Sequence, residues 1–286
     1  MSEDDAMQPL AGTKIVTIAF NLPGPAAVAQ LERWGADVVK IEPPGGDPLA
    51  RHCPDFYQHL LGRQQVVPLD LKDAADRPTL DHYLAEADLL VTSTLPISLE
   101  RLGLAWQQLH SQFPRLCQVA IVGHAPPDEE RTGHDLTYQA GVGLLSPPAM
   151  PLTLLADMAG AQTAVSHALA VLCERSRTGL GTLSYVAIAG ALDIFTLPLR
   201  YGLTAPGGSL GGGVPFYNLY PTRQGWLAVA ALEPQFWARL RSLTSATVGT
   251  YDEMKAIFMT RTADEWQHFG EQNRLPLAAV QAHKFG

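Results

Sequence analysis

KIVTIAFNLPGPAAVAQLERWGADVVKI, residues 14–41, decides the fold. Its opening, Lys14 to Phe20, is short, apolar and β-branched, which predicts a buried strand. Pro23, Gly24 and Pro25 make a turn, and the stretch from Ala26 to Trp34 carries apolar residues at helical spacing until Gly35 ends it. Val38 to Ile41 is a second strand. Strand, glycine-containing turn, helix, glycine and strand make a βαβ unit of the dinucleotide-fold type. The turn lacks G-x-G-x-x-G, so a nicotinamide or flavin fingerprint is missing. Pro23-Gly24-Pro25 reads equally as a rigid turn or as a loop that contacts a ligand.

Working outward, the alternation continues. Strands are expected around Val66 to Leu71, Leu89 to Val91 and Leu116 to Val122, with helices over Arg77 to Glu86 and Trp106 to Gln112. The longest helix is predicted over Ala159 to Arg175, where small residues suit tight packing. SYVAIAG, from Ser184, reads as a strand leading into a helix that runs to about Leu199. The fold class is therefore α/β, a mostly parallel sheet with helices on both faces.

APGGSLGGG, from Ala205 to Gly213, marks a boundary, because five of the seven residues from Gly207 onward are glycine. We expect a Rossmann-like large domain over 1–204, a glycine-rich linker over 205–213 and a small α+β domain over 214–286. The small domain opens with a strand pair turning near Arg223 to Gly225. Helices follow at Glu233-Pro234, Asp252 to Phe258 and Ala263 to Asn273, the last opened by a capping box of Thr262 and Glu265.

Composition limits the partners. The 286 residues are 47% hydrophobic and 17% charged, enough for a sizeable core. A net charge of −8 with no basic block argues against nucleic acid. No apolar run reaches the ~20 residues of a membrane span, and the acidic N-terminus is unlike a signal peptide. Cys53, Cys117 and Cys173 are widely spaced, in no metal-like pattern, which fits a reducing cytoplasm.

The chemistry concentrates in GHDLTYQAGVGLLSPPAMPLTLLAD, residues 133–157. A His-Asp pair opens it and Asp157 closes it. Gly141, Gly143 and Pro147-Pro148 turn the chain back between them. Such a turn brings His134 and Asp157 to opposite walls of one pocket, where two proton-transferring groups suit chemistry on a carbon between them. Each residue alone also reads as a helix cap or a surface group.

These stretches together are similar to the class III CoA-transferase superfamily, which includes carnitine and bile-acid CoA-transferases and alpha-methylacyl-CoA racemase. The resemblance runs from about Leu10 to Val280. It rests on LPGPAAVAQLERWGADVVKIEPPGGDP, VPLDLK, LERLGL, GHDLTYQA, LLADMAGAQTA, LGGGVPFYNLY and ALEPQFWARL, in the family's order. It implies that Asp157, in LLAD, is the nucleophilic or basic carboxylate. His134 with Asp135 and Tyr138 matches the racemase branch's GHD-x-x-Y, and Glu233 in LEPQFW matches the Glu that partners the His. Pro23, Arg63, Arg101, Asp135, Tyr138, Gly211 and Gly212 are the implied substrate and CoA contacts.

This chain departs from the family at several basic positions. Pro43 stands near a usual cation, Gln64-Gln65 replace a usual Lys-Arg beside Arg63, and Leu95 replaces an Arg. The C-terminal return segment also looks shortened. Three functions stay open: α-proton transfer on an acyl-CoA thioester between His134 and Asp157, CoA transfer between acids through an aspartyl-CoA on Asp157, and a CoA-binding-impaired member that serves as a binding subunit. In each case coenzyme A arrives as part of the substrate, with no permanently bound cofactor and no metal. The resemblance implies a homodimer of two chains threaded as interlocked rings, and the shortened return segment predicts a more open one here; the cysteine pattern places it in the cytoplasm.

Overall fold

Six parallel strands in the order β3-β2-β1-β4-β5-β6 make the main sheet of the computed structural model, which describes residues 7–281. In chain order the elements run β1 (Lys14–Thr17), α1 (Pro23–Arg33), β2 (Asp37–Glu42), α2 (Pro48–His52), α3 (Pro54–Leu61) and β3 (Gln65–Pro68). Then come α4 (Arg77–Glu86), β4 (Leu89–Thr92), α5 (Pro96–Arg101), α6 (Trp106–Gln112) and β5 (Cys117–Val122). The unit continues with α7 (Asp135–Gly141), α8 (Leu155–Thr178), β6 (Leu183–Ala187), α9 (Ile188–Ala191) and α10 (Asp193–Arg200).

The inner strands β1, β2, β4 and β5 are buried on both faces, which is why they read as continuous apolar runs, whereas the edge strand β3 is largely exposed. Ile15, Leu89, Val91, Val119 and Ile121 meet α1 and α8 on one side. Val16, Ile18, Leu90, Leu104 and Leu109 form a second core with α4, α5 and α6. Each such side chain contributes about 1.5–3 kcal/mol on burial. Helix α8 packs on α1, and its buried residues include Ala156, Ala159, Ala161, Ala164 and Ala168, small side chains that allow a close approach, while Gly160 makes room for Ile188 of α9.

Gly24 shows why the first turn has its sequence. A methyl group built on it would lie 2.3 Å from the Cβ of Ala19, so only glycine lets the start of α1 sit against the end of β1. Pro23 supplies the fixed φ that suits the first helical turn.

The main chain clusters into two compact units that divide between Phe195 and Thr196, inside α10. The second unit holds an antiparallel sheet, β7 (Tyr217–Pro221), β8 (Trp226–Ala230) and β9 (Leu277–Ala279), in the order β7-β8-β9. Its helices are α11 (Pro234–Thr244), α12 (Tyr251–Phe258) and α13 (Ala263–Asn273) around a core of Tyr220, Leu240, Phe258 and Trp266. Residues 205–213, expected as a linker, lie within this second unit. Their amides and carbonyls bond to one another, and a methyl on Gly211 would lie 2.0 Å from the carbonyl oxygen of Ala205. The glycines there serve backbone-on-backbone packing.

Four helices were not foreseen: α2, α3, α5 and α7, the last beginning directly after His134. Helices α2 and α3 fill what reads as a loop after PPGGDP. Each begins with a proline, and Asp47 caps α2 by accepting the Leu49 amide at 2.9 Å. Helix α5 hides in TLPISLER for the same reason, a proline at its first position. The expected run Val66 to Leu71 shortens to β3, because the chain turns through Asp70 to Asp76. No helix among the described residues is long and apolar enough to cross a membrane.

Candidate active site

The strand order reverses direction between β1 and β4, and a crevice opens there at the carboxyl ends of the strands. Hydrogen bonds tie its floor: the Phe20 amide donates to Ser93 Oγ at 3.0 Å and the Ile18 amide to the Val91 carbonyl at 3.1 Å. Asn21 turns the chain out of β1 with a left-handed φ of 66°, a conformation asparagine tolerates better than most residues.

A cavity of about 400 Å³ occupies this crevice, within the usual size for small-molecule sites. His134, Tyr138 and Asp157 line it together, so the turn through residues 142–154 does bring the two ends of the motif to one space. Pro23, Asn21, Ser93 and Leu95 also line it.

Asp157 sits in the first turn of α8, where helix dipoles favour a carboxylate. Its acidity is nevertheless weakened. Burial, with the neighbouring Asp135 charge adding to it, raises its pKa from 3.8 to about 6, and the nearby His134 pulls it down only in part. The His134 imidazole is exposed at the N-cap of α7, outside the packed core. Its backbone is fixed instead: the His134 amide donates to Thr137 Oγ1 at 3.0 Å, and that hydroxyl donates back to the His134 carbonyl at 2.7 Å.

Tyr138 is buried, its ring edge-on to that of His124 at 5.5 Å. Burial and the Asp157 charge raise its pKa, so it meets the cavity as a neutral O–H donor. Two glycines make room for it. A methyl on Gly133 would lie 2.5 Å from its ring, and one on Gly123 would lie 2.4 Å from its hydroxyl.

Asp135 plays a different part from the one its place in the motif suggested. It is 4% exposed and does not line the cavity. Its Oδ1 accepts the amides of Ala156 at 2.7 Å and Asp157 at 3.1 Å, while Gln139 Nε2 donates to Oδ2 at 2.6 Å. Leu154, at the N-cap of α8, has no side chain that can accept these amides, and Asp135 does so from 21 residues earlier.

The other expected contacts are dispersed. Arg63 precedes β3, at the opposite end of the sheet, and its Nε bonds to Glu32 Oε1 at 2.6 Å. Arg101 is exposed on α5 and does not line the cavity. Gly211, Gly212 and Glu233 belong to the second unit. The two glycines line a cavity with Asn218, and Glu233 is the exposed N-cap of α11.

Sequence reading missed Arg131, which lines the cavity with Asp157 and is an exposed cation without an ion pair among the described residues. Its signal was its place three residues before His134. The KIEPPGGDP motif also proves structural. Lys40 Nζ is buried and paired with Glu42 at 2.8 Å and Asp47 at 2.7 Å, and Tyr57 donates to Glu42 at 2.8 Å. No group of three or more His, Cys, Asp or Glu side chains among the described residues is placed to hold a metal.

Comparison with known proteins agrees with this fold. The pattern of CoA-transferase family III matches residues 10–284, and the chain belongs to that family. It is 24% identical to an (R)-2-hydroxy-4-methylpentanoate CoA-transferase of Clostridioides difficile, over 96% of this chain and 80% of the relative. It is 30% identical to human alpha-methylacyl-CoA racemase, over 90% of this chain and 74% of the relative. Among solved structures, a CAIB/BAIF family protein from Brucella suis superposes with a TM-score of 0.80 at 21% identity, covering 96% of this chain and 85% of the other. A hypothetical protein from Mycobacterium tuberculosis gives 0.83 at 23% identity, covering 97% and 85%.

Proposed function

We propose that this protein moves the α-proton of an acyl-CoA thioester, with Asp157 and His134 as the two proton carriers. The observation that carries the reading is their shared cavity, together with a carboxylate whose pKa is raised to about 6. A general base is most effective when its pKa lies near the working pH. The Asp157 carboxylate removes the α-proton from one face, and the thioester holds the resulting enolate. The protonated His134 imidazole then returns a proton to the other face, which inverts the centre. The Tyr138 hydroxyl is placed to donate to charge that develops in the cavity.

The racemase-branch resemblance assigns Glu233 to keep His134 basic, and it assigns Gly211 and Gly212 to the substrate. Arg101 is an exposed cation available to a CoA phosphate, whereas Arg63 is already engaged by Glu32. The family resemblance also supports a homodimer, which light scattering tests.

A second reading has its own support. The unpaired Arg131 at the cavity suits a second carboxylate, as CoA transfer between acids requires. There Asp157 attacks the thioester carbonyl and CoA leaves as its thiolate. The thiolate then attacks the aspartyl carbonyl of the resulting anhydride, releasing the first acid and leaving an aspartyl-CoA thioester; the acceptor carboxylate displaces CoA from it as a second anhydride, and the thiolate takes the acceptor's acyl group, freeing Asp157. Weak binding of acetyl-CoA in titration would favour a non-catalytic binding role instead.

The test is incubation with one enantiomer of a 2-methyl-branched acyl-CoA, without an acceptor acid, followed by chiral separation. Formation of the other enantiomer supports proton transfer. Retained configuration, with CoA moving only when an acceptor is added, selects the transferase reading.

A further inference from the structure

The reaction cavity does not end at Tyr138. A second hollow, about 480 Å³, adjoins it and shares Arg131, Thr132, Gly133, His134 and Tyr138 as a common wall. His124 and Thr137 complete its lining. The two spaces differ in character. Phe20, Pro23, Leu95, Ile121 and Ile188 give the first an apolar side. The residues around the second carry a guanidinium, two imidazoles and three hydroxyls, and among the described residues no carboxylate lines it.

Arg131 is held at this junction by its backbone. Its amide donates to the Asp128 carbonyl at 2.9 Å. A methyl built on Gly123, just past the end of β5, would lie 3.2 Å from the Arg131 carbonyl oxygen and 2.4 Å from the Tyr138 hydroxyl. The missing side chain therefore lets both close on one spot. The guanidinium is exposed and forms no ion pair among the described residues. Asp128, Glu129 and Glu130 precede it, but none of them lines either space, and Glu130 Oε1 accepts the Ile97 amide at 2.8 Å instead.

The charge of Arg131 reaches the Tyr138 hydroxyl, and so does that of Asp157. The base and this cation are thus both close enough to one tyrosine to act on it. A guanidinium without a partner selects a planar anion, which it can hold by two parallel N–H bonds. A neutral acyl chain would leave that cation unused. The apolar side of the cavity suits the methylene groups of a chain, and the Arg131 end suits a negative charge at its far end.

We propose that the acyl group of the substrate ends in a free carboxylate held by Arg131, so that the substrate class is the mono-thioester of a dicarboxylic acid with coenzyme A. This rests on the reading that the cavity of Asp157 holds an acyl-CoA thioester, and it adds which acyl group that is. The carboxylate and the thioester belong to one molecule, unlike the separate acceptor acid of CoA transfer.

Isothermal titration of the whole protein at low salt with two thioesters tests it. One is 2-methylglutaryl-CoA with its distal carboxylate free. The other is its distal carboxamide, the same in shape and without the charge. The carboxylate should bind roughly tenfold tighter. Arg131→Gln, at an exposed position, should erase that difference by weakening the carboxylate alone, and Arg131→Lys should restore part of it. Equal Kd values for the two thioesters in the native protein would overturn the proposal, as would failure of both to bind. So would an Arg131→Gln variant that weakens both alike, which would put a CoA phosphate on this cation. Deuterium entry at the α-carbon is read separately in heavy water. Preferential binding of the carboxylate without exchange would leave the substrate class standing and refute proton transfer. Exchange on both thioesters with no difference in Kd would do the reverse.

Discussion

Asp135 Oδ1 accepts the backbone amide of Asp157 at 3.1 Å, so one carboxylate holds another from behind. The first carboxylate is buried and spends its oxygens on the start of α8 and on Gln139. The second is left facing the cavity. This division of labour makes Asp135 a positioning residue and sets the acidity of Asp157 through its charge. Asp135→Ala leaves the amides of Ala156 and Asp157 without an acceptor, and loss of a cap costs about 0.5–2 kcal/mol. Thermal melts should show the loss. Asp135→Asn, which keeps an acceptor, should recover most of the stability and lower the pH at which activity rises.

Asp157 also gives a pH signature. Its folded pKa, about 6, lies above its ordinary 3.8, so the folded chain holds this proton more tightly than the unfolded chain between those values. The stability that this proton contributes is complete below about pH 4 and is lost as pH rises through about 6. Asp157→Asn removes the titration. The variant should melt higher than the parent at pH 8 and show no such advantage at pH 4. The rate of proton abstraction should move the other way, rising with pH through about 6 as the base form appears.

His134 distinguishes the two enzymatic readings. Its ring is exposed while its backbone is locked by Thr137. His134→Gln should lower racemisation by about 10²–10⁴-fold, the usual worth of a general acid or base, with little change in melting temperature. Chiral analysis of the product and a thermal melt check the two halves. Comparable loss of CoA transfer to an acceptor acid is not expected.

Gly133 is needed for space. A methyl there would lie 2.5 Å from the Tyr138 ring, and the ring has no room to retreat because Gly123 already abuts its hydroxyl. Gly133→Ala should cost about 1–3 kcal/mol from overpacking and should reduce turnover by shifting Tyr138 and the adjacent His134. Pairing it with Tyr138→Phe should leave both defects, because the phenyl ring keeps the carbons that the methyl strikes and loses the hydroxyl. Denaturant melts and steady-state rates on the two variants check both effects.

The buried ion group at the end of β2 is structural. Lys40→Met leaves Glu42 and Asp47 buried without their cation, and breaking such a pair costs about 3–5 kcal/mol. Urea midpoints should fall accordingly.

Much of this was legible in the sequence because sheets buried on both faces write themselves as apolar runs. Lys14 to Ile41 gave the βαβ unit, and α4 and α6 begin and end where their spacing says. What stayed hidden depended on contacts across distance. Helices α2, α3 and α5 are short and start at prolines, which also read as breaks. The role of Asp135 is invisible in its own neighbourhood, since the amides it caps come 21 residues later. The division between units falls inside α10, ahead of the glycines that drew attention to residues 205–213. At the site, His134, Tyr138, Pro23 and Asp157 were placed together by a motif resemblance, whereas Arg131 carried no pattern of its own.

The most direct measurement is deuterium entry at the α-carbon of a 2-methyl-branched acyl-CoA in heavy water, followed by mass spectrometry with no acceptor acid present. Label should enter with the native protein, fall by orders of magnitude in Asp157→Asn, and do so while both proteins remain folded. A native protein that binds the thioester yet never exchanges its α-proton, or an Asp157→Asn variant that exchanges it undiminished, would contradict Asp157 as the base.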